Sequence, residues 1–365
     1  MALKVGILGL PNVGKSSLFN AITQSSVAES ANYPFCTIEP NQGVVTVPDE
    51  RLEKLAKLSG SKDTIYSTIT FVDIAGLVKG ASKGEGLGNQ FLSHVREADL
   101  LLHVLRCFED DDITHVDGRV DPVQDMQTIE LELIYADLAN VEKYIANQGK
   151  RAKAADPKEK ALLQWLERCQ TLLSEGKRLA TDEEIMQELE YLKQYPLLTA
   201  KPMLYVANVA ESELNGDAPA YKALSEHLAA NGDSLLMISA QLEVELASLD
   251  KEEAAEYLKD LGLEQSGLSR ISQACFKALG LQCYFTSGEK ESRSWTIPQG
   301  ATAPQAAGCI HTDFETGFIR ANIIDYESFV DCGGLKVAKE QGKLRQEGRD
   351  YIVQDGDVIE FLFNV

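Results

Sequence analysis

The residues best suited to chemistry stand near the N-terminus, in the run Gly9–Ser16, which reads Gly-Leu-Pro-Asn-Val-Gly-Lys-Ser. This G-x-x-x-x-G-K-S spacing follows an apolar run and precedes a helical pattern, which is the context that a phosphate-binding loop requires. Glycines there let backbone N–H groups approach phosphate oxygens, and the helix N-terminus attracts the anion. Lys15 is expected to contact the β- and γ-phosphates of a nucleoside triphosphate. The predicted phosphate-binding residues are Gly9, Asn12, Val13, Gly14, Lys15, Ser16 and Ser17.

Three oxygen-bearing side chains are candidate ligands for Mg²⁺ beside those phosphates. The Ser16 hydroxyl is expected to ligate the ion, and Asp73, which ends an apolar strand pattern, to hold it through water. Asp73 opens the motif Asp-Ile-Ala-Gly, whose Gly76 amide can contact the γ-phosphate, so Gly76 joins Lys15 as a catalytic candidate. Thr37 lies between the two motifs and is the candidate metal ligand from a switch loop, with an ordinary loop threonine as the alternative.

The motif that would read the base departs from that of guanine-specific proteins. Those proteins carry Asn-Lys-x-Asp after a core strand, and the aspartate accepts both guanine donors; here the four residues read Asn-Val-Ala-Glu. Losing the paired acceptor geometry removes most of the discrimination for guanine. Asn208 is instead expected to bond the adenine amine, while Val209 packs on the base. The predicted base-site residues, including two from the turn after the next strand, are Asn208, Val209, Glu211, Ser239 and Ala240.

Hydrolysis requires a group that orients water, and the residue directly after Asp-x-x-Gly is Leu77 instead of glutamine. Leucine cannot orient water, so turnover is slow or another group supplies the function. The glycine-rich residues 79–88 that follow are typical of a mobile switch, with a plain flexible loop as the alternative. His115 is the catalytic candidate outside the motifs, although the residues alone favour a surface histidine.

Around these motifs, strand and helix patterns alternate, which predicts an α/β fold with a mostly parallel sheet and helices on both faces. The pattern runs through residues 1–108 and resumes after residue 200. The predicted strands and the helix after the phosphate loop are Val5–Leu8, Ser17–Ile22 (helix), Ile69–Asp73, Leu100–Leu105, Met203–Asn208 and Leu235–Ser239.

Residues 120–196 interrupt the alternation with a purely helical pattern. Apolar residues recur at spacings of three and four, which predicts two antiparallel helices in a coiled-coil hairpin with its turn at 154–157. A capping box at Thr181–Glu184 predicts a further helix that ends before Pro196. The seam residues are Leu131, Ile134, Leu138, Val141 and Ile145 on the first helix and Leu162, Trp165, Cys169 and Leu172 on the second.

The C-terminal part changes to short strand patterns, which predicts a separate small α+β domain. Its expected strands include Tyr351–Val353 and Val358–Phe363, joined by a hairpin turn at Asp355–Asp357. The predicted division is a nucleotide-binding domain at 1–120 and 197–280, a helical coiled-coil insertion at 121–196, and the C-terminal domain at 281–365.

Composition narrows the classes of partner. The net charge of −21 disfavours non-specific binding along nucleic acid, although a local basic patch remains able to contact RNA. No apolar run reaches the roughly 20 residues of a membrane span, and no signal peptide precedes the first strand pattern. The seven cysteines form no C-x-x-C pair, which favours reduced thiols. We therefore expect a cytoplasmic protein with no membrane partner.

Taken together, these motifs resemble the YchF group, the Obg-like ATPases of the translation-factor class of P-loop proteins. The resemblance covers essentially the whole chain and implies an ATPase that uses Mg²⁺. It implies a nucleotide domain, an inserted helical coiled coil and a C-terminal TGS domain of β-grasp type. It also implies a link to the ribosome and to stress responses. The matching stretches are 9–20, 32–43, 71–91, 106–109, 208–211 and 310–322.

The resemblance also adds roles for single residues. It implies that His115 assists hydrolysis where the glutamine is missing. Potassium-activated relatives combine an asparagine at the position of Asn12 with a hydrophobic residue at that of Leu77, so Asn12 is a candidate ligand for K⁺; a role in the loop backbone is the alternative. Basic residues of the C-terminal domain either face RNA or form a solvated surface: Arg320, Lys336, Lys339, Lys343, Arg345 and Arg349.

Three functions therefore remain open from the sequence. The first is a regulatory ATPase whose nucleotide state controls docking to a large partner such as the ribosome. The second is an Obg-type GTPase with relaxed base choice. The third is a nucleotide-sensing scaffold without turnover, for which Leu77 would be the sign.

Overall fold

The computed structural model describes residues 3–29, 41–74, 87–110, 113, 118–151 and 157–364. The strands within these residues are β1 Lys4–Leu8, β2 Gln42–Thr46, β3 Asp63–Ile65, β4 Thr68–Asp73, β5 Leu100–Arg106, β6 Met203–Asn208, β7 Leu235–Ile238, β8 Leu281–Ser287, β9 Glu291–Pro298, β10 Phe318–Asp325, β11 Arg345–Glu347 and β12 Asp357–Phe363.

The helices, in chain order, are α1 Lys15–Glu29, α2 Glu50–Ser59, α3 Leu87–Glu97, α4 Pro122–Arg151, α5 Pro157–Ser174, α6 Glu183–Gln187, α7 Leu189–Gln194, α8 Pro219–Ala230, α9 Ala240–Ser248, α10 Lys251–Asp260, α11 Gly267–Ala278, α12 Ala303–Ile310, α13 Thr312–Thr316, α14 Tyr326–Asp331 and α15 Leu335–Glu340. Short 3₁₀ turns lie at Leu179–Thr181, Leu198–Ala200 and Glu211–Glu213. In the part of the chain that is described, none of these helices combines the length and apolar character needed to cross a membrane.

The first sheet has the strand order β2-β4-β1-β5-β6-β7. Strand β1 pairs in parallel with β4 and β5, and β5, β6 and β7 continue the parallel pairing. All seven residues of β5 are buried, as a central parallel strand covered on both faces requires. The predicted α/β fold with a mostly parallel sheet is confirmed. Because the strands are parallel, the carboxyl ends of β1, β4, β5 and β6 share one edge.

The helical segment forms a long connection between β5 and β6, which are neighbours in the sheet. Both predicted helices are present as α4 and α5, and most of their seam residues are buried or half-buried in one cluster. Leu131 is an exception because its side chain is 40% exposed. The cluster also contains Ile185 and Leu197, so later helical turns pack on the pair. Residues 154–156 of the predicted turn lie outside the described residues. Pro157, the last residue of that prediction, is the first residue of α5.

The predicted capping box at Thr181 is wrong in its position. The N-cap is Asp182, whose carboxylate accepts a hydrogen bond of 3.0 Å from the Ile185 amide. The Thr181 hydroxyl instead donates to the carbonyl of Arg178, so it is not available to the helix. The single predicted helix is also divided into α6 and α7, because Glu188 leaves the helical conformation.

The second sheet has the order β11-β10-β12-β8-β9-β3. The predicted hairpin before β12 is wrong, because Ile352 forms only an isolated bridge with Thr302. Strand β12 pairs antiparallel with β10 and parallel with β8 instead. Asp355, in the predicted turn, accepts a hydrogen bond of 3.0 Å from the Cys283 amide. That contact places the segment beside β8 and explains why no hairpin forms.

The chain divides into two compact units. The first contains the described residues of Met1–Ala28, Thr37–Val44 and Thr70–Leu268, and the second those of Glu29–Cys36, Val45–Ile69 and Ser269–Val365. Residues 45–69 join the second unit because β3 pairs in parallel with β9. The three-domain division drawn from the sequence stays a prediction. The two compact units have bounds that differ from those of the three predicted domains.

Candidate nucleotide-binding site

The carboxyl edge of the first sheet opens into a cleft of about 720 Å³. Motifs that are far apart in the sequence meet here because each of them follows a parallel strand. The described residues that line the cleft are Pro11, Asn12, Gly14, Lys15, Ser16, Ser17, Asp73, Phe108, Glu109, Asp110, Ile113, Asn208, Val209, Ala210, Glu211, Ser239, Ala240 and Gln241.

The glycine at position 14 is required by both its backbone and its surroundings. Its φ of +98° belongs to the region that side chains disfavour, and a Cβ there would lie 2.1 Å from Nδ2 of Asn208. The buried Asn208 amide donates to the Val13 carbonyl at 3.0 Å, and its Oδ1 accepts from the Ala240 amide at 2.9 Å. Asn208 therefore ties the phosphate loop to the turn that begins α9.

Lys15 lies on the floor of the cleft, where its side chain is 8% exposed. Its ammonium group donates to the carbonyls of Gly9 and Leu10, at 2.7 and 2.9 Å. Burial lowers the pKa of Lys15 to about 8, and the Asp73 carboxylate opposes that shift. The cleft thus holds a buried cation at the start of a helix, which is suited to a polyphosphate.

Asp73 has an oxygen suited to a hydrated metal ion. Its Oδ1 is buried and has no hydrogen-bond partner among the described residues. Burial raises the pKa of Asp73, although Lys15 lowers it in part, so a nearby cation would stabilise the carboxylate. The exposed Ser16 hydroxyl lines the same cleft. An unpartnered carboxylate oxygen and a hydroxyl together fit the oxygen ligands that Mg²⁺ takes.

At the base end of the cleft, the predicted residues already make contacts within the protein. The Asn208 side chain already bonds Val13 and Ala240, as described above. Val209 is 2% exposed and belongs to the buried cluster that contains Leu105, Cys107 and Met126, although it also borders the cleft. Its contact with a base stays a prediction. The Ser239 hydroxyl caps α9 by accepting from the Leu242 amide.

One aromatic group of the cleft was missed by sequence reasoning. Phe108 is the aromatic side chain among the described lining residues, and Gln241 and Glu211 also line the cleft. The buried Arg106 fixes the segment after β5, because its guanidinium donates to the carbonyls of Phe108, Asp110 and Ile113. A buried arginine at the end of an apolar strand was the available sequence signal.

Four residues of the sequence interpretation lie outside the described residues: Thr37, Gly76, Leu77 and His115. Their roles stay predictions. Ile113, two residues before His115, does line the cleft.

A parallel sheet with a glycine-containing loop between β1 and α1, a buried lysine in that loop and an aspartate at the end of β4 defines a P-loop nucleotide hydrolase. Comparison with known proteins agrees with this class. The family described as "50S ribosome-binding GTPase" matches residues 4–137. YchF-GTPase_C, described as "Protein of unknown function (DUF933)", matches residues 281–364.

Full-length relatives make the assignment specific. The "Ribosome-binding ATPase YchF" of Bacillus subtilis (strain 168) is 50% identical over 368 residues, and that of Escherichia coli O157:H7 is 51% identical over 365; both alignments cover 100% of each chain. The solved structure of the Schizosaccharomyces pombe YchF GTPase matches with a TM-score of 0.90 at 38% identity, and covers 99% of this chain and 97% of that one. The chain belongs to the YchF family.

Proposed function

We propose that this protein is an ATP-hydrolysing nucleotide switch that acts at the ribosome. The observation that supports the choice of ATP is the base end of the cleft, where Glu211 stands in place of the guanine-reading aspartate and Val209 in place of lysine. The ribosomal role rests on the full-length relatives, which are named ribosome-binding ATPases.

Different residues of the cleft have different roles in this proposal. Lys15 and the backbone of the phosphate loop neutralise and position the β- and γ-phosphates. Ser16 and Asp73, with Thr37 from the switch loop, would hold Mg²⁺, which shields phosphate charge during transfer. The Gly76 amide would contact the γ-phosphate. Loss of that phosphate on hydrolysis would then release the switch loops.

We expect ATP to bind at least about tenfold more tightly than GTP, because Glu211 and the buried Val209 do not reproduce the paired guanine contacts. Isothermal titration calorimetry with both Mg²⁺-nucleotides measures the ratio. Equal or tighter binding of GTP would reject the ATPase proposal in favour of a GTPase with relaxed base choice.

Glu211→Asp is the matched variant for this measurement. It restores the aspartate but leaves Val209 without the lysine stem, so strong GTP binding should not appear. Absence of turnover in a single-turnover assay with ATP would point instead to a sensing scaffold.

The ribosomal contact is proposed to include the basic surface of the second unit. Its arginines are already engaged: Arg320 donates to Gln346 at 3.2 Å, Arg349 donates to the carbonyl of Phe318, and Arg345 lies 3.9 Å from the buried Asp357 carboxylate. The lysines Lys336, Lys339 and Lys343 are exposed on and after α15. We therefore expect RNA phosphates to contact these lysines more readily than the arginines.

Replacing Lys339 and Lys343 with glutamine should weaken cosedimentation with ribosomes and lower the slope of log affinity against log salt by about one per lysine. Arg345 is left intact because its removal would deprive the buried Asp357 of a charge partner. The measurement is ATP-dependent pelleting with ribosomes across a salt series.

A matched control neutralises the exposed Lys251 and Lys259 of α10, which changes the net charge equally. An unchanged slope in the Lys339/Lys343 variant, or an equal loss in this control, would remove the basic surface from the proposal.

A further inference from the structure

A chain of hydrogen bonds connects Gln241 and Glu211, two residues that line the cleft. The Gln241 side-chain amide donates to Oε1 of Glu245 at 3.2 Å, and Oε2 of Glu245 lies 3.5 Å from the Tyr257 hydroxyl. Tyr257 in turn donates to Oε1 of Glu211 at 3.3 Å. Gln241 and Glu211 line the cleft, whereas Tyr257 is not among the described lining residues.

The helices that carry this chain are fixed at their starts. Helix α9 is capped by Ser239, and α10 by a capping box in which Asp250 and Glu253 bond each other's amides. Capping of this kind holds the first turns of a helix in place. Tyr257 therefore approaches Glu211 from a regular helix whose first turn is capped.

The Tyr257 hydroxyl can donate one hydrogen bond. Desolvation and the carboxylates of Glu211 and Glu245 raise the pKa of Tyr257, so the hydroxyl keeps its proton at neutral pH. Glu211 is the nearer acceptor, at 3.3 Å against 3.5 Å for Glu245. Oε1 of Glu211 therefore accepts a hydrogen bond from Tyr257, and Oε2 is the oxygen that Tyr257 leaves for a ligand.

One available oxygen suits adenine better than guanine. Guanine presents two adjacent donors, N1–H and the 2-amine, which together call for both oxygens of a carboxylate. Adenine presents one exocyclic amine beside an acceptor nitrogen and needs a single acceptor. A site that leaves a buried donor unpaired discriminates strongly against that ligand.

We propose that Tyr257 is a specificity-determining positioning residue, which holds Oε1 of Glu211 so that the base meets a single acceptor. This inference rests on the proposed preference for ATP. It assigns the discrimination against guanine to a side chain about fifty residues from the base motif, in a different helix.

The test is Tyr257→Phe, with calorimetric Kd values for ATP, GTP and ITP. Phenylalanine releases Oε1, so the ratio of ATP to GTP affinity should fall about tenfold, the worth of one hydrogen bond to a charged group. ITP lacks the 2-amine and should gain less than GTP. A purely structural role would shift all three nucleotides together.

Two controls make the result decisive. Tyr135→Phe removes the hydroxyl of an exposed tyrosine in α4 and should leave the ratio unchanged. In a Glu211→Gln background, Tyr257→Phe should no longer change the ratio, because the two residues act through one contact. Melting temperatures of all variants report on folding.

The outcomes separate the two proposals. If the unaltered protein binds GTP as tightly as ATP, both the proposed function and the role of Tyr257 are overturned. If it prefers ATP and Tyr257→Phe leaves the ratio unchanged, the proposed function stands and the Tyr257 inference falls. A lowered ratio with GTP gaining more than ITP supports it.

Discussion

Replacing Lys15 with alanine should weaken binding of Mg²⁺-ATP by roughly 10²–10⁴-fold. The ammonium group lies buried on the floor of the cleft and is the cation that the phosphate loop itself supplies. Hydrogen bonds to charged groups contribute about 1.5–3 kcal/mol each, and two phosphates are contacted. Competition with a fluorescent ATP analogue measures the loss. Binding within tenfold of that of the unaltered protein would contradict the assignment.

The pH dependence of binding tests the same contact without removing it. The pKa of Lys15 is lowered to about 8 by burial, so the nucleotide-free protein loses this charge as the pH rises through 8. ATP requires the charged form, and its affinity should therefore fall between pH 7.5 and 9.5. Lys15→Arg is the matched control, because arginine stays charged and its weaker binding should not vary over that range. A flat profile in the unaltered protein would contradict the role of the lowered pKa.

The phosphate site could be predicted because its requirements are local. Gly14, Lys15 and Ser16 are consecutive, and the strand before them and the helix after them are visible in the apolar pattern. Asp73 was predicted for a similar reason, since it ends a strand that parallel pairing brings beside β1. Where one strand and one turn determine the position of a residue, the sequence is sufficient to predict that position.

The base end could not be predicted because it depends on contacts between distant residues. Val209 follows β6, but its side chain faces the core because α4 and α8 residues cover that face of the sheet. Tyr257 reaches Glu211 across 46 residues, and no spacing rule connects them. The wrong capping residue has a local cause, because the Thr181 hydroxyl donates to the Arg178 carbonyl within the preceding 3₁₀ turn.

The catalytic step is the part of the proposal that depends on Asn12 and His115. Asn12 is exposed, lines the cleft and adopts a φ of +62°, a conformation that asparagine tolerates better than most residues. The proposed role of Asn12 as a ligand for a monovalent cation rests on this place in the cleft and stays a prediction. Arg106 donates to the Ile113 carbonyl at 2.9 Å, and Ile113 lines the cleft, whereas the role of His115 stays a prediction.

Turnover should be roughly tenfold or more faster in K⁺ than in Na⁺ at equal ionic strength, and Asn12→Ala should abolish the difference. A cation beside the phosphates neutralises developing charge, as an arginine finger does at a gain of roughly 10³–10⁵ in rate, and a loosely held ion supplies part of that effect. Rubidium, which is close to potassium in size, should support turnover too.

Separately, His115→Ala should lower kcat and leave ATP affinity nearly intact, as for a group that acts mainly in the transition state. Identical rates in K⁺ and Na⁺ would reject the cation, and a normal rate in His115→Ala would return that histidine to an ordinary surface role.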